Sequence, residues 1–309
     1  MHIKILGSAA GGGFPQWNCN CRNCESARAG TFKGKSRTQT QVSVSNDDRA
    51  WFLLNTSPDL RTQIEATSVL HPRNHGRSSP LAGVLLTSGD IDQVAGLLSL
   101  RELQPFRIYC TTSIRRILQE DNSIFAMLNR VPGQLSWTEI ASDASFPLLD
   151  VAGSDSKIGC TVFSLGRRYP PYVSRERLAR LEPEEALLGA ILTGSSGKRV
   201  AYMPAVPAVD DALLRRLEDA DLLLFDGTFW SDDELIRVQG SGSTAREMGH
   251  IPVSGTEGSL RALAGLRHPR KVFIHVNNTN PMLDESGSAY AEVRAAGWEV
   301  AEDGWSFDL

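Results

Sequence analysis

The sequence has no excess of basic charge, no long apolar run and few cysteines, and each shortage excludes something. The 309 residues carry 32 basic against 36 acidic side chains, a formal net charge of −4. Without a basic excess nothing draws in a polyphosphate backbone, so nucleic-acid binding is not expected. No segment approaches the roughly 18 uninterrupted apolar residues of a membrane-spanning helix. The opening MHIKILGSAAGG turns small and polar almost at once, too soon for a secretory signal, so a cytoplasmic chain is expected. There is no internal repeat and no low-complexity tract. Five cysteines is an odd count, and three of them crowd into the stretch CNCRNC. Disulfide frameworks spread their cysteines out; a clustered set in a reducing compartment points to a metal.

What is present is ordinary globular sequence, 41% hydrophobic and 22% charged, which argues against disorder, collagen and coiled coil. A chain of this length buries roughly 75% of its unfolded surface and needs no disulfide for its core. Short β-rich runs dominate: 2–6, 41–45, 50–55, 83–87, 107–110, 160–165, 190–193, 199–203, 221–225 and 271–276. Helical periodicity lies between some of them. Ile91, Val94, Leu97 and Leu98 share one face, and further helices are expected over 58–66, 114–119, 210–218, 257–266 and 288–296. The polar stretches 74–79, 142–157 and 231–244 read as loops. This order predicts an α/β protein with two mixed sheets and helices outside, not one doubly wound sheet. The triple glycine Gly11–Gly12–Gly13 runs into Phe14–Pro15, which cannot open a dinucleotide-binding helix.

Cys19, Cys21 and Cys24 stand at C-x-C-x-x-C spacing, from which thiolates can converge on one zinc ion out of a tight loop. The fourth ligand is open among His2, His71, His75, His250, His268 and His275. Cys110 and Cys160 lie in apolar strand patterns and read as core residues. The segment VLLTSGDIDQVAGLLSLRE runs a buried strand into a polar turn and a helix. Asp90, Asp92 and Gln93 thus fall at the C-terminal end of a strand, where α/β folds place ligands. Two carboxylates and an amide oxygen suit a hard or borderline cation. Asp92 also fits a helix N-cap and Asp90 a turn. Asp226 closes the run DLLLFD, and His275 interrupts KVFIHV; an acid and a histidine at the ends of separate buried strands suggest a convergent site. The Tyr169-Pro170-Pro171-Tyr172 loop could cover a planar substrate, though loop packing explains it as well.

The order of these features resembles the metallo-β-lactamase superfamily, with its H-x-H-x-D-H motif falling on Ser88, Asp90, Asp92 and Gln93. A closer resemblance is to the pyrroloquinoline quinone (PQQ) biosynthesis protein B family. It rests on GSAAGGGFPQWNCNCRNC, LLNTSPDLRTQI, LLTSGDIDQVAGLLSLRE, LLLFDGTFW, MGHIPVSG and FIHVNNTNP, in that order along nearly the whole chain. The resemblance implies one metallo-β-lactamase-like αββα sandwich over 1–309, with a structural zinc on Cys19, Cys21, Cys24 and His250. It implies a second, active-site metal on Asp90, Asp92 and His275, with Gln93 and Asp226 close by. Family members often carry histidine where Gln93 stands, so a 2-His-1-carboxylate iron site is not expected from these positions. The implied activity is an Fe2+-dependent oxygenase that uses O2 to hydroxylate the tyrosine-derived ring of a cross-linked Glu–Tyr precursor. A carrier of PQQ or its precursor towards the periplasm is the alternative, with Arg61, Arg101, Arg167 or Arg168 pairing with the quinone's carboxylates. A metal-dependent hydrolase is the third reading. A homodimer is left open.

Overall fold

The computed structural model describes residues 1–309. Fourteen strands follow in chain order: β1 (His2–Gly7), β2 (Gln41–Ser45), β3 (Trp51–Leu54), β4 (Leu81–Leu85), β5 (Phe106–Cys110), β6 (Leu135–Glu139), β7 (Ser145–Leu149), β8 (Asp155–Gly166), β9 (Leu187–Thr193), β10 (Arg199–Met203), β11 (Leu222–Asp226), β12 (Arg270–Ile274), β13 (Trp298–Val300) and β14 (Ser306–Asp308). Two compact units result. The first takes Met1–Leu6, Gln41–Lys198 and Gly304–Leu309; the second takes Gly7–Thr40 and Arg199–Asp303.

The first unit holds a sheet in the order β14-β1-β2-β3-β4-β5-β6. β1 and β14 are antiparallel, with His2 opposite Asp308, as are β2 and β3. β3 through β6 are parallel. The strands β3 to β5 read as nearly unbroken apolar runs because both faces are covered, and Trp51, Leu53, Val84, Ile108 and Leu97 pack in one cluster. β7, β8 and β9 form an antiparallel meander. The second unit holds four parallel strands, β10 to β13. Its core stacks Phe273 on Trp298 at 4.1 Å between ring centroids.

Most expected strands and helices form, with ends moved by a few residues. Three expectations need correction. The stretch 142–157 is not a loop, since it contains β7 and the start of β8. Both are partly exposed there, so their sequence lacks a clean apolar alternation. The stretch 231–244 contains the helix Glu234–Gln239, which buries its glutamate and turns Ile236 and Val238 outward, opposite to an amphipathic pattern. Asp90, not Asp92, holds the N-cap position, and the helix begins at Ile91. No helix is long and apolar enough to cross a membrane.

Candidate functional site

In the first unit, the acidic turn follows β4. Thr87 is fixed by Asn55, whose amide oxygen accepts from Thr87 N and whose Nδ2 donates to Thr87 Oγ1, each at 2.8 Å. The next turn folds on itself: Ser88 Oγ donates to Asp90 Oδ2 at 2.9 Å. Gln93 Nε2 donates to Asp92 Oδ2 at 3.1 Å. The helix behind it packs so closely that a Cβ on Gly96 would lie 2.3 Å from the Ser57 carbonyl oxygen, which explains the glycine. Asp90 and Asp92 are half-buried. Gln93 is buried, and its Oε1 has no hydrogen-bond partner. A buried amide oxygen left unpaired costs about 1–3 kcal/mol, and beside two carboxylates it is the oxygen donor a hard cation would satisfy.

The Tyr169–Tyr172 loop belongs to the same unit. Tyr172 OH donates to Gly89 O, and burial, with the Asp90 charge, pushes its phenol upward. Tyr169 is buried and donates to Glu182 O at 2.5 Å, so it serves packing. Arg167 pairs with Glu184 and Arg101 with Glu102, so the structure already gives both guanidinium groups carboxylate partners.

In the second unit, Asp226, His250 and His275 come together, with their ligand atoms within 4.8 Å of one another. The parallel register sets Asp226 beside Ile274, so Asp226 and His275 leave adjacent strand ends together. The residue between strand and site must be small: a Cβ on Gly227 would lie 2.8 Å from Phe273 Cβ. His275 itself has φ +57, a left-handed conformation rare for a side-chain-bearing residue and common at functional sites. The expected strand to Val276 therefore ends at Ile274.

Asp226 is fully buried and saturated. Oδ1 accepts from Thr228 N at 3.0 Å and Thr228 Oγ1 at 2.6 Å. Oδ2 accepts from Val206 N and from His250 Nδ1, both at 2.8 Å. Having donated its one proton to Asp226, Thr228 Oγ1 can only accept from His275 Nδ1, 2.8 Å away. Both imidazoles therefore carry their proton on Nδ1, which makes Nε2 the nitrogen that could ligate a metal. The rings stack at 5.5 Å between centroids.

This overturns one expectation. His250 is not the fourth partner of the cysteines; the Gly249 turn, at φ +89, and the bond from Ile251 N to Val206 O hold its ring against Asp226. The argument against two histidines at the active site falls with it, because His250 joins His275.

The three cysteine sulfurs also lie within 4.8 Å of one another. Zinc with bonds of about 2.3 Å to sulfur would need them about 3.8 Å apart, so the donor set suits the ion. Asn278 Nδ2 spans all three, at 3.1 Å from Cys19 Sγ, 3.6 Å from Cys21 Sγ and 3.3 Å from Cys24 Sγ. Turning the amide over would present Oδ1 instead, so Asn278 occupies the place given to histidine. Burial pushes the Cys21 thiol up to about 11. Burial acts the same way on Cys19, but hydrogen bonds from the Cys21 backbone and neighbouring side chains outweigh it and lower that thiol. A cation would be needed to hold all three as thiolates. Sequence reasoning missed Asn278 and Thr228; the only trace of the former is an asparagine three residues after His275 in FIHVNNTNP. Cys110 and Cys160 are buried core residues, as expected.

The model of the β-lactamase superfamily domain matches residues 50–276. Coenzyme PQQ synthesis protein B of Methylobacterium sp. (strain 4-46) is 44% identical, and that of Pseudomonas putida (strain GB-1) 41%, each covering 100% of both chains. The crystal structure of zinc-bound PqqB from Methylobacterium extorquens superposes with a TM-score of 0.91, at 42% identity and 100% coverage of both chains. A diphosphatase of the PhnP family, at 17% identity and a TM-score of 0.67 over 100% of this chain and 97% of its own, shares the fold. Saturated carboxylate, paired histidines and clustered thiols thus sit in a metallo-β-lactamase fold of two mixed sheets and helices, and the chain belongs to the coenzyme PQQ synthesis protein B family.

Proposed function

We propose that the chain acts in PQQ biosynthesis as a metal-dependent oxygenase that adds oxygen to the tyrosine-derived ring of a cross-linked Glu–Tyr precursor. Family membership supports the pathway. The observation that carries the metal dependence is the fixed tautomer of His250 and His275, whose Nδ1 atoms are held by Asp226 and Thr228. Two imidazoles held by Nδ1 would present Nε2 to a transition metal and match the histidine part of an iron oxygenase set. Asp226 has every lone-pair direction taken, so it orients ligands and does not ligate. The family resemblance implies Asp92 and Asp90 as anionic ligands, with Gln93 close by. Iron(II), if held by these imidazoles, would supply the one-electron chemistry that lets O2 react with an aromatic ring. The protein's own part is to hold both imidazoles by Nδ1 and aim them, and to supply carboxylates that would balance the cation's charge. Zinc on Cys19, Cys21, Cys24 and Asn278 has a structural role in this reading, and the zinc-bound relative supports zinc as the ion.

The test is metal analysis of protein reconstituted anaerobically with Fe(II), coupled to O2 uptake with the Glu–Tyr-derived substrate. Bound zinc, bound iron and substrate-dependent uptake are expected, with uptake abolished in Asp92→Ala and His275→Ala. Undiminished uptake in either variant would sink the assignment. Zinc without iron or uptake, together with tight PQQ binding, would replace the oxygenase with a carrier. Chelator-sensitive cleavage of phosphodiester or lactam substrates would replace it with a hydrolase.

A further inference from the structure

Glu234 is a buried carboxyl that belongs to neither ligand set. It is 5% exposed. Burial pushes it up to about 7, against hydrogen bonds from Thr279 and from the backbone that favour the anion. Its two oxygens serve two different segments. Oε2 accepts from Trp230 N at 2.6 Å, in the loop after β11. Oε1 accepts from Thr279 Oγ1 at 2.5 Å, in the segment after β12. Thr279 Oγ1 in turn accepts from Asn277 Nδ2 at 2.6 Å. The same two segments meet where Asn277 N donates to Thr228 O at 3.0 Å and where Asn280 Nδ2 donates to Gly227 O at 3.0 Å. One short segment thus carries His275 at its start and Asn278 three residues on, and Glu234 is the acid that ties it down.

We propose that Glu234 is a positioning residue for both ligand sets. Its carboxylate clamps 277–280 against 227–230, and so holds Asn278 on the cysteine triad and His275 beside Thr228. The inference rests on the reading that the triad holds zinc. The chemistry of the clamp makes it testable. Both of its partners are donors, so both positions need an acceptor. An amide offers one acceptor and one donor, so Glu234→Gln keeps its size but loses one of the two ties.

The experiment compares the full-length zinc-loaded protein with Glu234→Gln, Thr279→Val, the double variant, and Leu217→Ala. The last opens a cavity in the helix Asp211–Leu217 of the same unit. Zinc release to a coloured chelator and the visible spectrum of the Co(II)-substituted triad are followed. Release about tenfold faster is expected in Glu234→Gln, the size of effect seen when a group orienting a ligand is lost, together with a changed thiolate-to-Co(II) band. The double variant releases zinc no faster than the faster single one, and Leu217→Ala releases it at the wild-type rate despite a lower Tm. Wild-type release and spectrum in Glu234→Gln, additive single effects, or equal release from Leu217→Ala would overturn the proposal. If the wild type holds no zinc at the triad, the zinc reading fails, and the His275 ring nitrogens decide by NMR of the metal-free protein. Shifts moved by Glu234→Gln support the clamp; unmoved shifts end it.

Discussion

Asp226 and the pair Asp90 and Asp92 are carboxylates at the C-terminal ends of parallel strands, yet their surroundings are opposite. Asp226 is fully buried and accepts four hydrogen bonds from its own unit. Asp90 and Asp92 are half-buried, and beside them stands a buried amide oxygen with no partner. The comparison teaches how to tell a ligand from the group that aims it. A carboxylate whose lone pairs are filled by the protein contributes geometry and stability before any ion arrives. One that stands beside an unmet acceptor contributes little until the ion is there.

Truncation separates the two most strongly. Asp226→Ala leaves Val206 N and Thr228 N without their acceptor, and should lower metal-free stability by about 3–5 kcal/mol. Asp90→Ala should change it by less than about 1 kcal/mol. Urea denaturation of the metal-free proteins measures both, and equal losses would erase the distinction. The milder change Asp226→Asn keeps the shape but weakens the hold on the imidazoles. Loss of active-site metal affinity by about 10–100-fold is expected, read by chelator competition. Gln93→His sharpens the other side. It exchanges the orphaned amide oxygen for an imidazole nitrogen, and should raise the affinity for zinc relative to manganese by about tenfold. Direct titration with each ion checks it, and an unchanged ratio would mean that residue 93 does not ligate.

A further effect concerns pH. The Glu234 carboxyl is raised in the folded protein to about 7, so between the unfolded value and about 7 the folded state binds more protons than the unfolded one. Stability therefore falls as pH rises through that window and levels off above it. The upper bound is on the order of 3 kcal/mol, lessened by any relaxation around the charge. Glu234→Gln should flatten this slope between about pH 5 and pH 8 in denaturation midpoints; an unaltered slope would mean another group produces it.

Much of this was legible in the sequence because it is local. The C-x-C-x-x-C stretch, the turn after a buried strand, and Asp226 and His275 at strand ends are each written in a few adjacent residues. The partners were not. His250 follows a glycine in a loop, and nothing in that loop says which cluster its ring reaches. Asn278 lies in a run of asparagines that also reads as turn chemistry, and Thr228 acts through nearby Asp226 and through His250 and His275, both distant in sequence. The short strands β13 and β14 have three residues each, too few for a period to appear. β6 was missed because its residues are half-buried or exposed throughout.

The pairing of β1 with β14 has a consequence for how the molecule is made. Residues 2–4 lie against 306–308, so on the ribosome β1 waits until β14 has been made before this partner exists. The β7–β8 hairpin can close as soon as it emerges. The first unit can therefore complete its sheet only once β14 is made, and until then the edge of β1 facing away from β2 stays open to chaperones or to neighbouring nascent chains.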